Sequence, residues 1–191
     1  MKKFVIFLFF AGMFYSSNIS FGQNKSYLNN RIIFEGVYKR NLGNFSEVWS
    51  SAAGGYIGYG IAFPDHNLLI LRTGFYSNSL KEGVNYDDAT SKVIPIHIGG
   101  RYYFIDERFM PFVSFMNGLN IVMENTNLEG IKEEKTLVKY AWEVGLGVSI
   151  NAVSNLIFDV NVNYSSHFYT TEAMMTGFSY GFGLSWTLGK R

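Results

Sequence analysis

The stretch Gly177-Phe178-Ser179-Tyr180-Gly181-Phe182-Gly183-Leu184-Ser185-Trp186-Thr187-Leu188 alternates without a slip. Phe178, Tyr180, Phe182, Leu184, Trp186 and Leu188 share one side, and Ser179, Gly181, Gly183, Ser185 and Thr187 share the other. A period of two sustained this long is a β-strand, because successive side chains point to opposite faces. A strand covering a soluble core turns charged residues to water on its second face, and this one has none. Its large apolar face is expected to meet lipid. Its small face is expected to line a crowded interior.

Working back from that strand, seven more stretches read the same way. The first, about Arg31 to Arg40, sets Ile32, Phe34 and Tyr38 against Ile33, Glu35, Val37 and Lys39. The second, Gly54 to Phe63, alternates Ile57, Tyr59, Ile61 and Phe63 with Gly58, Gly60 and Ala62. The third spans Leu68 to Tyr76 and the fourth Val93 to Phe104, the latter with His97, Gly99, Arg101 and Tyr103 on its inner side. The fifth, Pro111 to Val122, is the least regular. The sixth, Val138 to Ile150, puts Lys139, Ala141, Glu143, Gly145 and Gly147 inward, and the seventh, from Leu156, does so with Asp159, Asn161, Asn163 and Ser165.

The connections alternate long and short. Pro64-Asp65-His66-Asn67, Asp106-Glu107-Arg108 and Asn151 to Asn155 are tight, whereas the polar spans Ser77 to Ser91, Glu124 to Lys135 and Ser166 to Glu172 read as long loops. Short turns on one side and long loops on the other, with an even strand count, are the habit of outer-membrane barrels. Hydrocarbon leaves no partner for backbone N–H and C=O groups, so a strand-built membrane protein must close on itself. The expectation is an all-β, eight-stranded, antiparallel up-and-down barrel in the bacterial outer membrane. Phe63, Phe104, Tyr140, Trp142, Tyr164, Phe178, Tyr180 and Trp186 fall near strand ends and are expected to form a lipid-facing aromatic girdle.

Ahead of the strands, Met1-Lys2-Lys3 opens onto an apolar stretch from Phe4 to Tyr15, and Ser20-Phe21-Gly22 puts small residues before Gln23. This is the pattern of a secretory signal peptide, here 1–22, which leaves 23–191 as one barrel domain. The apolar stretch is shorter than the roughly 20 residues a spanning helix needs. Removal of Lys2 and Lys3 would lower the formal charge from +1 by two, to −1. A near-neutral chain has no basic excess to attract nucleic acid. With Cys 0, disulfides and thiolate metal sites are excluded.

Charge decides which face meets lipid. Within the strands, Glu35, Lys39, Arg72, Arg101, Lys139, Glu143 and Asp159 share the side of the small residues, with His97 among them. One Arg or Lys at the bilayer midplane costs about 2–4 kcal/mol, so these groups are expected to turn inward as a lumen network of ion pairs and hydrogen bonds. About eight strands enclose an interior just wide enough for side chains, and the expected barrel is plugged. A soluble lipocalin-like lipid carrier is the alternative with the opposite polarity.

The run Val93-Ile94-Pro95-Ile96-His97-Ile98-Gly99-Gly100-Arg101-Tyr102-Tyr103-Phe104, followed by Met110-Pro111-Phe112-Val113, resembles the middle hairpin of small outer-membrane β-barrel proteins. The type is the eight-stranded barrel of Bacteroidota, labelled PorT-like, and akin to OmpA and OmpX barrels. The ending Gly183 to Arg191 looks like the closing strand of that group, although Leu188-Gly189-Lys190-Arg191 lacks the terminal Phe of proteobacterial relatives. The resemblance implies a barrel and no catalytic residue.

Some barrels of this size modify lipid A, which makes Ser165, Ser166, His167 and Glu172 the residues of an alternative rim hydrolase. Their order differs from the His-x-Ser order of that enzyme type. Asn85, Asp87 and Asp88 offer hard oxygens of the kind Ca²⁺ takes, but a solvated loop accounts for them. The Gly-x-Gly pairs lie inside strands with no following helix, so they are not phosphate loops. The chain is thus expected to be non-enzymatic, with no cofactor or metal. Its expected partners are outer-membrane lipid, the barrel-assembly machinery during insertion, and an extracellular or envelope protein met by the long loops in a structural, adhesive or export-accessory role.

Overall fold

The computed structural model describes residues 29–84, 88–128, 131–153, 155–168 and 174–188. The expected leader 1–22, together with Asn85, Asp87, Glu172 and the tail 189–191, lies outside the described residues.

Eight strands form the fold: β1 (Arg31–Leu42), β2 (Trp49–Phe63), β3 (Asn67–Leu80), β4 (Asp88–Tyr103), β5 (Phe109–Leu128), β6 (Ile131–Val153), β7 (Leu156–Phe168) and β8 (Met174–Thr187). Each pairs antiparallel with its neighbours in sequence, and β1 closes the barrel against β8 from Arg31↔Thr187 to Leu42↔Thr176. Closure uses up the edge N–H and C=O groups that an open sheet would present to hydrocarbon.

The period-two alternation becomes an inside and an outside. In β1, Arg31, Ile33, Glu35, Val37, Lys39 and Asn41 are buried, while Phe34 and Tyr38 are exposed. In β8, Ser179, Ser185 and Thr187 are buried, while Phe178, Tyr180, Phe182, Leu184 and Trp186 are exposed. The apolar side chains cover the outer surface and the ions lie within. That polarity is the reverse of a lipocalin-like carrier, and the soluble alternative falls with it.

The loop reading needs correction. Much of the polar spans expected as loops is strand: β3 continues to Leu80, β4 starts at Asp88, and β5 and β6 pair as far as Leu128↔Ile131. Only a 3₁₀ turn, Gly43–Glu47, separates β1 from β2. The reason is physical. Above a membrane both faces of a ribbon meet water, so apolar alternation disappears while backbone pairing persists. Opposite charges such as Glu124↔Lys135 then support the ladder across the strands.

At the opposite end the turns are tight. Asp65 and His66 both take left-handed backbone, φ 60° and φ 67°, which Asp tolerates better than most residues. The Asn67 side-chain amide donates to Pro64 O and Asp65 O, at 3.2 and 3.0 Å.

The interior has three parts. Toward the tight-turn end, Ile33, Leu68, Ile70, Tyr103, Met110, Phe112, Met116 and Ile157 pack as a buried apolar cluster. The fifth strand looked irregular because its inward residues, Met110, Phe112 and Met116, are as large and apolar as its outward ones. Above it polar side chains take over, and toward the far end a second buried apolar cluster, Ala52, Tyr76, Val93 and Val122 with Leu137 packed against it, closes the interior.

Candidate functional site

The polar interior is built from residues that alternation delivers to one space from seven strands. Lowest lies Asp159 of β7, fully buried, which accepts hydrogen bonds from Ser185 Oγ at 2.9 Å and from Ser149 Oγ. Arg101 Nη1 of β4 reaches the same carboxylate at 3.1 Å, and its Nη2 lies 3.5 Å from Glu35 Oε2 of β1. The Arg101 guanidinium also stacks over the Phe112 ring, 4.4 Å from its centroid. One cation therefore bridges two acids and closes the apolar cluster beneath it.

Above this, Arg72 Nη2 of β3 donates to Glu143 Oε1 of β6 at 2.7 Å, and the guanidinium covers the Tyr56 ring at 4.1 Å. Arg72 also donates to His97 Nδ1 at 3.4 Å. Arginine can only donate, so His97 Nδ1 accepts and its Nε2 carries the proton, which goes to Asn120 Oδ1 at 2.9 Å. The Asn120 amide donates in turn to His167 Nδ1 at 2.7 Å, and His167 Nε2 lies 3.1 Å from Lys39 Nζ. A continuous chain runs from Glu143 through Arg72, His97, Asn120 and His167 to Lys39. At the top, Asn41, Asn78 and Ser91 carry on the polar contacts.

Of the residues singled out from sequence, Glu35, Lys39, Arg72, His97, Arg101, Glu143 and Asp159 are all buried and joined in these contacts. Lys139 stands higher on the inner side of β6, half-buried and in register with Asn120. Sequence reasoning passed over Arg31, fully buried with its guanidinium 5.8 Å from the Tyr103 centroid, and the linking residue Asn120, while it placed Ser149 and Ser185 on the inner face without a partner. Strand parity was the signal that could have found the first two, since each sits an even number of positions from an inward charge or glycine on its own strand.

Glycines on the inner face leave room for this network. A Cβ at Gly181 would strike Asn161 and the Glu35 carboxylate, and one at Gly145 would strike the Asn163 side chain. What remains between the ion pairs is a cavity of about 10 Å³ lined by Glu35, Tyr56, Arg72, Arg101, Glu143 and Asn161 among others, room for one water molecule.

Among the described residues, the serines and His167 do not assemble a hydrolytic site. Both ring nitrogens of His167 are engaged, by Asn120 and by Lys39. Ser165 Oγ donates to Gly177 O at 3.5 Å, and Ser166 projects from the other side of β7. Among the described residues, no cluster of three His, Asp or Glu side chains is placed to hold a metal ion.

On the outer surface the aromatic residues fall at two levels. Trp142 meets Tyr164 at 5.8 Å between ring centroids, Tyr164 meets Phe178 at 5.4 Å, and Tyr140 stacks on Phe168 at 6.0 Å. Tyr180 is exposed one outward position below Phe178. At the tight-turn end Phe63, Phe104 and Trp186 are exposed. From Phe178 to Trp186 the strand advances about 26 Å, which at a tilt of about 40° rises about 20 Å, near the height of the apolar band of about 25 Å in membrane barrels. Between the levels lie exposed Phe34, Leu71, Ile96, Val160, Phe182 and Leu184. No helix among the described residues is long and apolar enough to cross a membrane.

A closed eight-stranded antiparallel barrel with an apolar waist and an ionic interior defines the class: a small β-barrel of the outer-membrane fold. Solved structures agree. Ail, the attachment invasion locus protein of Yersinia pestis, superposes with TM-score 0.60 at 15% identity, over 84% of this chain and 99% of that one. Neisserial surface protein A, NspA, gives 0.59 at 14% identity, over 83% and 97%. The outer membrane protein OprG from Pseudomonas aeruginosa gives 0.55 at 15% identity, over 84% and 97%. At such identities the likeness is one of fold. No protein-family model and no curated protein sequence matches the chain.

Proposed function

We propose that this chain is a non-enzymatic integral protein of the bacterial outer membrane, of the PorT-like type found in Bacteroidota, with a lumen plugged by its own side chains. Its work then lies at the protruding end, in an envelope-structural, adhesive or export-accessory role, with surrounding lipid and an extracellular or envelope protein as partners. The observation that carries the plug is the run of buried contacts from Asp159 through Arg101 and Glu35, and from Glu143 to Lys39, around a cavity of about 10 Å³. A hydrated ion needs far more room than one water. The engagement of His167 with Asn120 and Lys39 inside the lumen supports the non-enzymatic reading.

Planar-bilayer recording of the purified protein tests this. The expected trace has no large, steady single-channel current. A stable conductance of porin size overturns the plug, and hydrolysis of lipid A by the wild type but not by His167→Ala overturns the non-enzymatic reading.

A further inference from the structure

The contacts that end on Lys39 do not balance if every group keeps its usual charge. Four links join five side chains: Arg72 to His97 Nδ1 at 3.4 Å, His97 Nε2 to Asn120 Oδ1 at 2.9 Å, Asn120 Nδ2 to His167 Nδ1 at 2.7 Å, and His167 Nε2 to Lys39 Nζ at 3.1 Å. Each link needs one donor and one acceptor. A neutral imidazole offers one of each, and so does a primary amide used once at oxygen and once at nitrogen. The arginine end can only donate. Followed from Arg72, the direction of every bond is then fixed, and His167 Nε2 arrives at Lys39 with a proton. An ammonium has three protons and no lone pair, so two donors would face each other at 3.1 Å. Turning the Asn120 amide over, or moving a ring proton, only shifts the mismatch to another link. An extra proton on either histidine adds to it. An amine nitrogen, which has a lone pair, removes it.

The surroundings of Lys39 agree. The side chain is buried, and among the described residues no ion pair includes it. Tyr76 of β3 sets its ring 5.7 Å from Nζ. The attraction of a cation to a ring at that distance is small beside the cost of an unpaired buried charge. Ala52 of β2 and Ser179 of β8 stand beside Lys39 in register and are uncharged. From the other walls come His97, Asn120 and His167 of the chain itself, and Glu143 of β6, which Arg72 holds at 2.7 Å. The total charge points the same way. Among the described residues, the buried ionic side chains are Arg31, Lys39, Arg72 and Arg101 against Glu35, Glu143 and Asp159. With Lys39 uncharged, three cations meet three acids.

We propose that Lys39 stands as an uncharged amine at neutral pH, accepting a hydrogen bond from His167 Nε2, and is the site at which the lumen binds one further proton. That proton converts the amine to an ammonium, which must donate to His167. Each histidine then moves its ring proton from Nε2 to Nδ1, the Asn120 amide turns over, and the mismatch lands on the Arg72–His97 contact, the longest of the four. That contact opens. A proton taken up beside Tyr76 is thus felt at the far end of the chain, where Arg72 holds Glu143. The proposal uses the contacts of the plug but asks nothing of conductance or of a partner at the protruding end, so the two readings fail separately.

Nitrogen-15 NMR of the full mature protein in lipid nanodiscs tests this. At neutral pH the Lys39 Nζ signal, identified by its loss in Lys39→Met, is expected at the amine position, upfield of the ammonium signals of the exposed Lys81 and Lys92. His97 and His167 are both expected to carry their proton on Nε2, with Nδ1 bare. As the pH is lowered, the Lys39 signal should move to the ammonium position, and in the same step the His167 proton should pass to Nδ1. In Lys39→Met that step should be lost. The chain has three histidines, the third being His66 in the β2–β3 turn, so the ring signals of the wild type decide the question even where Lys39→Met does not fold. An ammonium signal for Lys39 at neutral pH overturns the proposal. So does a proton on His167 Nδ1 at that pH, or a first proton taken by a histidine while Lys39 stays an amine.

Discussion

Arg72 and Glu143 meet at 2.7 Å across the lumen from β3 and β6, strands that share no ladder and are separated by β4 and β5. The pair ties two walls of the barrel together through its centre. Two buried charges cost several kcal/mol to desolvate, and their attraction repays this only with good geometry. The Tyr56 ring beneath Arg72, at 4.1 Å, and the bond to His97 help supply it. Removing one partner should therefore be worse than removing both. Glu143→Leu is expected to lower stability by about 3–5 kcal/mol, and the double variant Arg72→Met with Glu143→Leu should recover most of the loss. Urea unfolding in lipid bilayers, followed by heat-modifiable gel migration, checks the order. A double variant less stable than Glu143→Leu would show that the pair itself supports the fold.

Asp159 occupies a different position in the network. It holds Arg101, Ser149 and Ser185 at once, from a fully buried site. Asp159→Asn keeps the shape but leaves Glu35, at 3.5 Å, as the one carboxylate beside Arg101. The expected loss is about 3 kcal/mol, the scale of an uncompensated buried charge. Ser185→Ala removes one neutral donor to a carboxylate and should cost about 1.5–3 kcal/mol. The two variants, measured by the same unfolding assay, should keep that order.

These contacts show how far the sequence could be read. Parity alone placed Glu35, Arg72, Arg101, Glu143 and Asp159 on one side of their strands, because a period of two leaves no other choice once one face is apolar. Parity does not say which charges meet. Arg72 with Glu143 and Arg101 with Asp159 depend on strand stagger and barrel diameter, which emerge only on closure. Arg31 was passed over because it stands at the first residue of β1, where a strand end and a solvated leader look alike. The ribbon at Glu124–Lys135 was read as a loop because hydrophobic periodicity reports a contrast between two environments, and above the membrane there is only one. His167 looked like half of a hydrolytic pair because adjacent serines are visible in sequence, whereas Lys39 and Asn120, its partners in space, lie 128 and 47 positions away.

The β2–β3 turn offers a gain of stability. His66 holds φ 67° without being glycine, and a left-handed residue with a Cβ costs roughly 1–2 kcal/mol. His66→Gly removes that cost at the expense of some unfolded-state entropy. The backbone carbonyl that accepts from Tyr103 N–H at 2.8 Å is retained. A net stabilisation of about 0.5–1 kcal/mol is expected, seen as a higher urea midpoint with unchanged slope. Destabilisation by the variant would mean that the imidazole makes contacts worth more than the backbone strain.

Depth on the outer wall should be legible in the cost of a single cation. Val160 lies midway along β7, in register with Val148 on one side and Phe182 on the other, and is exposed between the two aromatic levels. Phe104 is exposed just beyond β4, at the level of Trp186 and Phe63. Arginine at the bilayer midplane costs about 2–4 kcal/mol, and near an interface about 0–1 kcal/mol, where the side chain reaches water by extending along the surface. Val160→Arg should therefore destabilise the folded barrel by several times as much as Phe104→Arg. Both side chains point away from the lumen network, so neither substitution disturbs Asp159 or Arg101, and the difference reports the solvent outside. Measured in bilayers of decreasing acyl length, the penalty at Val160 should shrink while that at Phe104 stays small. Equal penalties at the two positions would mean that the surface between the aromatic levels meets water.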